Sequence, residues 1–399
     1  METKAITRRY DLDWLRVMGI LTVFVFHSGR FFNSEGWHVK NATTYFGMDI
    51  WEYILSNWMM PLVFAISGAS LFYALGKGRP GQFIKDKVLR LLVPLVVGIF
   101  TLDTLQIYLE RLSHGQFSGS FWEFYPHYFE GLYGFGGNFA WMGVHLWYLE
   151  MLFIFSLVFL PLFLWLKRGS GQRVLARLGD WLARPGAAYL LALPVILVVG
   201  LMNRYTFWGS LGWGGGSIFS HLCFFLSGFV IVSHAGLQNS IQRLRWLSLA
   251  LVAVLLVTIF TLYMLVGEPA YGTAQYTLLY SLYGLWAWCW VLAILGFGMK
   301  HLNFSTPVLQ HANEAVLPFY ILHQPVLLCV GYFVVQWAIP DLLKWMIIFP
   351  TSFVVIVALY ELLVRRFNLM RVLFGMKSLA RPVGLQTKET QLKEATRTM

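Results

Sequence analysis

The sequence predicts an all-α polytopic membrane protein of about ten transmembrane helices, with both termini in the cytoplasm. Three observations lead there. The 399 residues are 58% hydrophobic and only 12% charged, against about 25% charged in a typical soluble domain, so this much apolar surface finds shelter only in lipid. The apolar residues fall into runs of about twenty, the length that crosses a bilayer core. Finally, the basic residues alternate between connecting segments. With the N-terminus inside, 25 of the 30 Lys and Arg lie on the inner side and five, Arg30, Lys40, Arg111, Arg204 and Lys344, on the outer, as the positive-inside rule requires. The same distribution accounts for the formal net charge of +11 without a nucleic-acid partner.

Residues 1–11 read as a cytoplasmic N-terminus. No small-residue cleavage site follows a short apolar core, so the first helix is expected to stay. Helices are expected over 12–32, 50–75, 88–108, 145–166, 187–203, 217–234, 246–266, 275–299, 315–337 and 343–364, the fifth being short. Their internal Gly and Pro are tolerated in membrane helices. Residues 12–365 thus form one membrane domain. The outer loop 109–144 is long for a simple connection and rich in aromatics; it suits sugar stacking and equally an interfacial aromatic belt. Residues 366–399 form a polar, basic cytoplasmic tail, expected to be mobile. Phe64-Ala65-Ile66-Ser67-Gly68 and Phe224-Phe225-Leu226-Ser227-Gly228 look alike, but small residues at helix contacts explain both, and no repeat emerges. Cys223, Cys289 and Cys329 lie in apolar runs with neither a disulfide framework nor metal-ligand spacing, so no metal is expected.

The first helix carries the sharpest chemical signal. Arg16 and His27 stand at opposite ends of ten uncharged residues, roughly 16 Å apart by helix rise. An ionisable group inside a membrane is costly and marks function by default, although a lone histidine there also suits a hydrogen bond to a neighbouring helix. Counted from the helix middles, Asp103 and Glu150 fall at the depth of His27, and a carboxylate beside an imidazole makes a base of fixed tautomer. Glu150 is taken as that partner; Asp103 reads as packed. His323 lies in Tyr320-Ile321-Leu322-His323-Gln324-Pro325, where Pro325 frees a backbone carbonyl one turn back. His145 opens the fourth helix at the outer interface, where an aromatic belt with a histidine is the ordinary reading. At the inner face Lys87 and Arg90 share one side of a helix and with Arg16 can clamp phosphates, although a positive-inside boundary has the same appearance.

In this order the pieces resemble the membrane acyltransferase-3 family: Leu12-Asp13-Trp14-Leu15-Arg16 with His27 eleven residues on, then Phe64-Ala65-Ile66-Ser67-Gly68, Lys87-x-x-Arg90-x-x-x-Pro94, His145-Leu146-Trp147-Tyr148-Leu149 and Tyr320-Ile321-Leu322-His323-x-Pro325. Trp37-His38-Val39-Lys40-Asn41 looks closest to the branch that succinylates periplasmic glucans. The resemblance implies a bacterial inner-membrane enzyme that moves an acetyl or succinyl group from cytoplasmic acyl-CoA to a hydroxyl of a glycan on the far side. It makes His27 catalytic, with Glu150 added from the depth count, and gives Arg16, Lys87 and Arg90 to acyl-CoA. Ser67, Gly68, His145, Trp147, Tyr320 and His323 then line the substrate passage. Lys87 departs from the family's more usual arginine, keeping the charge without the bidentate fork. Acyl-CoA is a substrate in this scheme, and no bound cofactor is implied. Direct attack and an acyl-histidine intermediate both fit the residues. A saccharide or lipid-linked glycan transporter is the rival from another class; transporters often carry inverted repeats, which this sequence does not show.

Overall fold

Every apolar run forms a helix, but the helices differ in length and in how they bend. The computed structural model describes residues 8–75, 80–211 and 216–379; residues 1–7 of the expected N-terminus, Lys77 and Arg79 of the expected inner loop, and the tail from 380 onward lie outside the described residues. In chain order the α-helices are α1 (Tyr10–Gly29), α2 (Phe46–Ala74), α3 (Pro80–Lys87), α4 (Val93–Ser113), α5 (Phe121–His127), α6 (Trp147–Val158), α7 (Leu160–Leu166), α8 (Gly169–Leu182), α9 (Leu193–Leu201), α10 (Ile218–Ser233), α11 (Ala235–Val266), α12 (Ala274–His301), α13 (Pro307–Val334), α14 (Asp341–Leu359) and α15 (Asn368–Leu373). Seven helical stretches are long and apolar enough to cross a membrane, or nine if each of two bent pairs counts as one span. By length and composition, seven to nine of the ten expected spans are thus present among the described residues. The run at 217–234 gives only the 16 residues of α10, shorter than a bilayer core demands.

The irregularities have local causes. One turn of π-helix, Val88–Leu92, joins α3 to α4, with the Val93 N–H bonded to the Val88 carbonyl. Pro94 follows; it has no N–H for the Arg90 carbonyl and its ring crowds that group, so the wider turn relieves it. Pro161 starts α7 and accompanies a 54° bend from the helix before it. The segment 169–184, expected as an inner connection, holds the 14-residue helix α8, which buries Leu175, Gly179 and Leu182 on one face and exposes Arg173 and Arg177 on the other. Gly186, at φ +76°, begins the turn that follows. Side-chain caps set other starts: Thr273 accepts from the Tyr276 N–H at 3.2 Å and Thr306 from the Leu309 N–H at 3.0 Å, ahead of Pro307.

The centre of the molecule is built by α1, α2, α4, α10, α12 and α13. Helix α11 lies outside them against α12, its Val254, Val257 and Phe260 exposed, as an apolar surface facing lipid would be. The two look-alike motifs pack against each other. A Cβ on Gly68 would lie 1.8 Å from the Phe225 carbonyl oxygen, and one on Gly228 would lie 1.9 Å from that of Ala65. Each glycine thus admits the other helix's backbone, the close approach that small residues allow between membrane helices. The first residues after 366 are ordered: α15 buries Arg371, which bonds Glu314 at 2.9 Å and the Lys377 carbonyl at 2.7 Å.

Candidate active site

The site is assembled on the turn of α13 that Pro325 interrupts. Pro325 cannot donate to the carbonyl of Ile321, four residues back. His145, arriving from the segment before α6, supplies the missing donor: its Nε2 lies 3.0 Å from that carbonyl oxygen. The Tyr320 hydroxyl returns a bond to the His145 carbonyl. His145 follows Val144, whose φ of +38° makes it the one non-glycine residue with positive φ among the described residues. A β-branched residue there is strained, as is common next to functional groups.

The hydrogen bonds determine which nitrogen of each ring carries the proton. A carbonyl only accepts, so His323 donates from Nδ1 to the Tyr320 carbonyl. Neutral His323 then holds a lone pair on Nε2, which lies 2.9 Å from Nδ1 of His27. His27 donates across that contact and is left with a free lone pair on its own Nε2. His145 likewise donates from Nε2 and accepts at Nδ1 from the Gln106 amide at 3.1 Å. That amide also bonds Asp103 at 2.7 Å. His27 therefore presents a base with its tautomer fixed by a neighbour that is itself fixed by the backbone.

His27 lines a cavity of about 1060 Å³ together with Trp37, His145, Trp147, His221 and Gln324, near the upper end for small-molecule sites. The Trp37 ring lies parallel to that of His27, within 7°, with centroids 6.0 Å apart. The loop after α1 holds Trp37 there. Arg30 pairs with Glu52 at 3.1 Å and with Glu35, and His38 pairs with Glu110, which also accepts from Tyr133 at 2.8 Å. Lys40 donates to the Arg30 and Asn33 carbonyls at 2.6 and 2.5 Å. Burial first, and then the Arg30 charge, bring the Lys40 amine down to about 8.

At the other end of α1, Arg16 bonds Ser70 of α2 at 2.6 Å, Asn313 of α13 at 3.1 Å and Asp13 at 3.3 Å. Lys87 and Arg90 lie close enough to Arg16 for the three charges to oppose one another. Ion pairs among the described residues include Arg16 with Asp13 but neither Lys87 nor Arg90. None of the three cations lines the cavity of His27. Between them, one turn from Ser70, the Ser67 hydroxyl meets that of Tyr148 at 2.6 Å, and the Tyr148 ring packs on Tyr320 with centroids 5.6 Å apart. Gly68, on the same stretch, faces α10 instead.

The structure thus brings together His27, His145, Tyr320 and His323, and gathers Arg16, Lys87 and Arg90 elsewhere. It does not bring Glu150 to His27. The side chains that touch His27 include His323, Phe26 and Trp37, and Glu150 does not line its cavity; the Glu150 Oε2 is buried without a hydrogen-bond partner. His145 is not an interfacial belt residue; it is 5% exposed and belongs to the site. Asp103, which reads as packed from the sequence, is fully buried and joined to His145 through Gln106. Gln106, close to Asp103, Thr104 and Glu110, does not stand out in the sequence, whereas His221, an ionisable residue in the apolar run of α10, carries the same signal as His27 and could have been found by it.

Comparison with known proteins gives the family. The acyltransferase-3 family model, described as an acyltransferase domain, matches residues 9–361. Glucans biosynthesis protein C of Salmonella paratyphi A and of Salmonella agona are each 24% identical over 396 residues, covering 93% of this chain and 95% of the relative; that of Salmonella heidelberg is 23% identical over the same shares. No solved structure matches the chain. With a family match that runs from the start of α1 to the last turn of the final span, the chain belongs to the acyltransferase-3 family and is a multi-pass membrane transferase of acyl groups other than aminoacyl groups.

Proposed function

We propose that the protein moves an acyl group, acetyl or succinyl, from cytoplasmic acyl-CoA to a hydroxyl of a periplasmic or extracellular glycan, across the bacterial inner membrane. The observation that carries this reading is the His27–His323–Tyr320 chain, which leaves a lone pair on His27 Nε2 at a cavity wall. A sugar hydroxyl is a poor nucleophile. As its oxygen bonds the thioester carbonyl carbon, its proton passes to His27 Nε2; the carbon–sulfur bond breaks, and the leaving coenzyme A thiolate takes that proton. His323 holds the imidazole in position throughout. The relatives' name, glucans biosynthesis protein C, supports a glucan as the acceptor.

On this reading Arg16, Lys87 and Arg90 hold the donor's phosphates on the cytoplasmic side, where 25 of 30 basic residues fall. The acyl arm passes Ser67, Tyr148 and Tyr320 to reach His27, about 16 Å from Arg16 by helix rise. The ten helical runs, with both termini inside, are the arrangement that satisfies this charge distribution. The test is acyl transfer to a glucan oligosaccharide in proteoliposomes. His27→Ala and His27→Gln should each lose at least about 10²-fold, the lower end for a general base, while acyl-CoA binding persists. A well-folded His27→Gln protein that acylates at near-normal rate would overturn the mechanism.

A further inference from the structure

The cavity that holds His27 carries a second polar group. Its wall includes Arg204, Tyr205, Glu268 and Tyr280, drawn from the segment after α9, the connection between α11 and α12, and α12 itself. Arg204 donates to the Tyr280 hydroxyl at 2.6 Å, and its guanidinium lies 5.1 Å from the centre of that ring. Tyr205 and Tyr280 both donate to one oxygen of Glu268, each at 2.5 Å. A carboxylate accepts through both oxygens, so Glu268 can take a further donor at the second. Tyr280 and Tyr283 stack with centroids 5.4 Å apart, within 20° of parallel.

The charges on this wall are unequal. Glu35, Asp49, Glu52 and Glu268 line the cavity against only Arg30 and Arg204, and both guanidiniums are already engaged by residues of the wall. Glu52 is 4% exposed and keeps Oε1 without a partner. Such a wall asks for hydrogen-bond donors and offers no spare cation. An anionic ligand would meet an excess of negative charge, felt most at buried Glu52 and partly screened by water at exposed Glu35 and Glu268. Hydroxyl groups bring the required donors, and the tyrosine faces suit the apolar sides of sugar rings.

We infer that Arg204, Tyr205, Glu268 and Tyr280 form an acceptor subsite for a neutral saccharide and that the cavity rejects an anionic one. This rests on reading the cavity as the acceptor side of the transferase. The experiment uses the full chain in nanodiscs, with a neutral gluco-oligosaccharide and an oligogalacturonate of equal length. Binding is followed by tryptophan fluorescence and acyl transfer is measured separately. The neutral chain should bind at least about ten-fold more tightly. Glu268→Gln should weaken it about ten-fold, as loss of a charged hydrogen bond does, with acyl-CoA binding unchanged as the control for folding. Glu268→Lys should narrow the preference. Equal binding of the two saccharides, or wild-type affinity for the neutral chain in both variants, overturns the subsite. Binding of the neutral chain without its acylation keeps the subsite and overturns the transferase reaction proposed above.

Discussion

The two ends of α1 are built from overlapping helices and solve opposite problems. At one end Arg16, Lys87 and Arg90 gather, and the last two have no carboxylate within ion-pair distance among the described residues. At the other, Arg30 is enclosed by Glu35 and Glu52, His38 by Glu110, and the cavity wall is acidic in balance. Lys87 is half-buried and Arg90 exposed, and on the function proposed above this unmatched group meets a ligand that brings its own negative charge. At the other end Arg30 and His38 are already paired and the surplus is negative, so that end offers nothing to a phosphate. The outer end therefore works through geometry: ring tautomers, a carbonyl freed by proline, and a tryptophan held parallel to a histidine. A charge-based site tolerates displacement because Coulomb forces fall slowly with distance; a hydrogen-bonded site does not.

The comparison is broken most completely if the two ends do not face opposite sides of the membrane. Single cysteines at Ser118 and at Gln172, both exposed, should label from opposite sides in an otherwise cysteine-free protein, Ser118 from outside; labelling of both from one side removes the ten-helix arrangement. Gly171 is avoided as a labelling site because a Cβ there would lie 2.2 Å from the Trp165 carbonyl oxygen.

The next largest effect is expected at His323. His323→Ala should lower transfer about 10²-fold, since His27 loses the partner that fixes its tautomer. His323→Gln should recover part of that loss, because its amide can donate to the Tyr320 carbonyl and accept from His27. A merely structural histidine predicts no such rescue, and equal damage in the two folded variants would remove the relay. The pH profile of kcat/KM adds a separate readout, as it follows the ionisation of the free base; it should move in His323→Gln but not in Arg16→Ala.

The smallest effect belongs to the inner end. Arg16→Ala, and Lys87→Ala with Arg90→Ala, should each raise KM for acyl-CoA about ten-fold, the range of one charged hydrogen bond, with saccharide binding unaltered. Unchanged donor affinity in both would show that the cations only mark the inner boundary.

Much of the fold is legible in the sequence because lipid imposes simple rules. Apolar length locates the helices, and alternation of Lys and Arg orders the connections. The shortfalls arise where the chain departs from straight helices: α10 is too short to count as a span by length, and α8 is a helix whose apolar face is covered by protein and whose charged face resembles a loop. The small residues of the two look-alike motifs mark them as helix contacts, although nothing in the sequence says that each is the other's partner.

His27 and Arg16 are visible because an ionisable group is costly in an apolar run and persists there only for a reason, and Pro325 announces a free carbonyl by chemistry alone. Glu150 shows the limit of that reasoning. Counting along helices estimates depth but gives no direction around the helix axis, so residues at one depth can point to different neighbours. His323 and His145 meet His27 and the Ile321 carbonyl only because α1, α13 and the strained turn at Val144 converge. The one-dimensional sequence, read against lipid, determined which runs are apolar helices. Only the tertiary structure decided which buried polar groups touch, because a hydrogen bond needs both partners within about 3 Å and correctly aimed, and that is set by the packing of helices far apart in the chain.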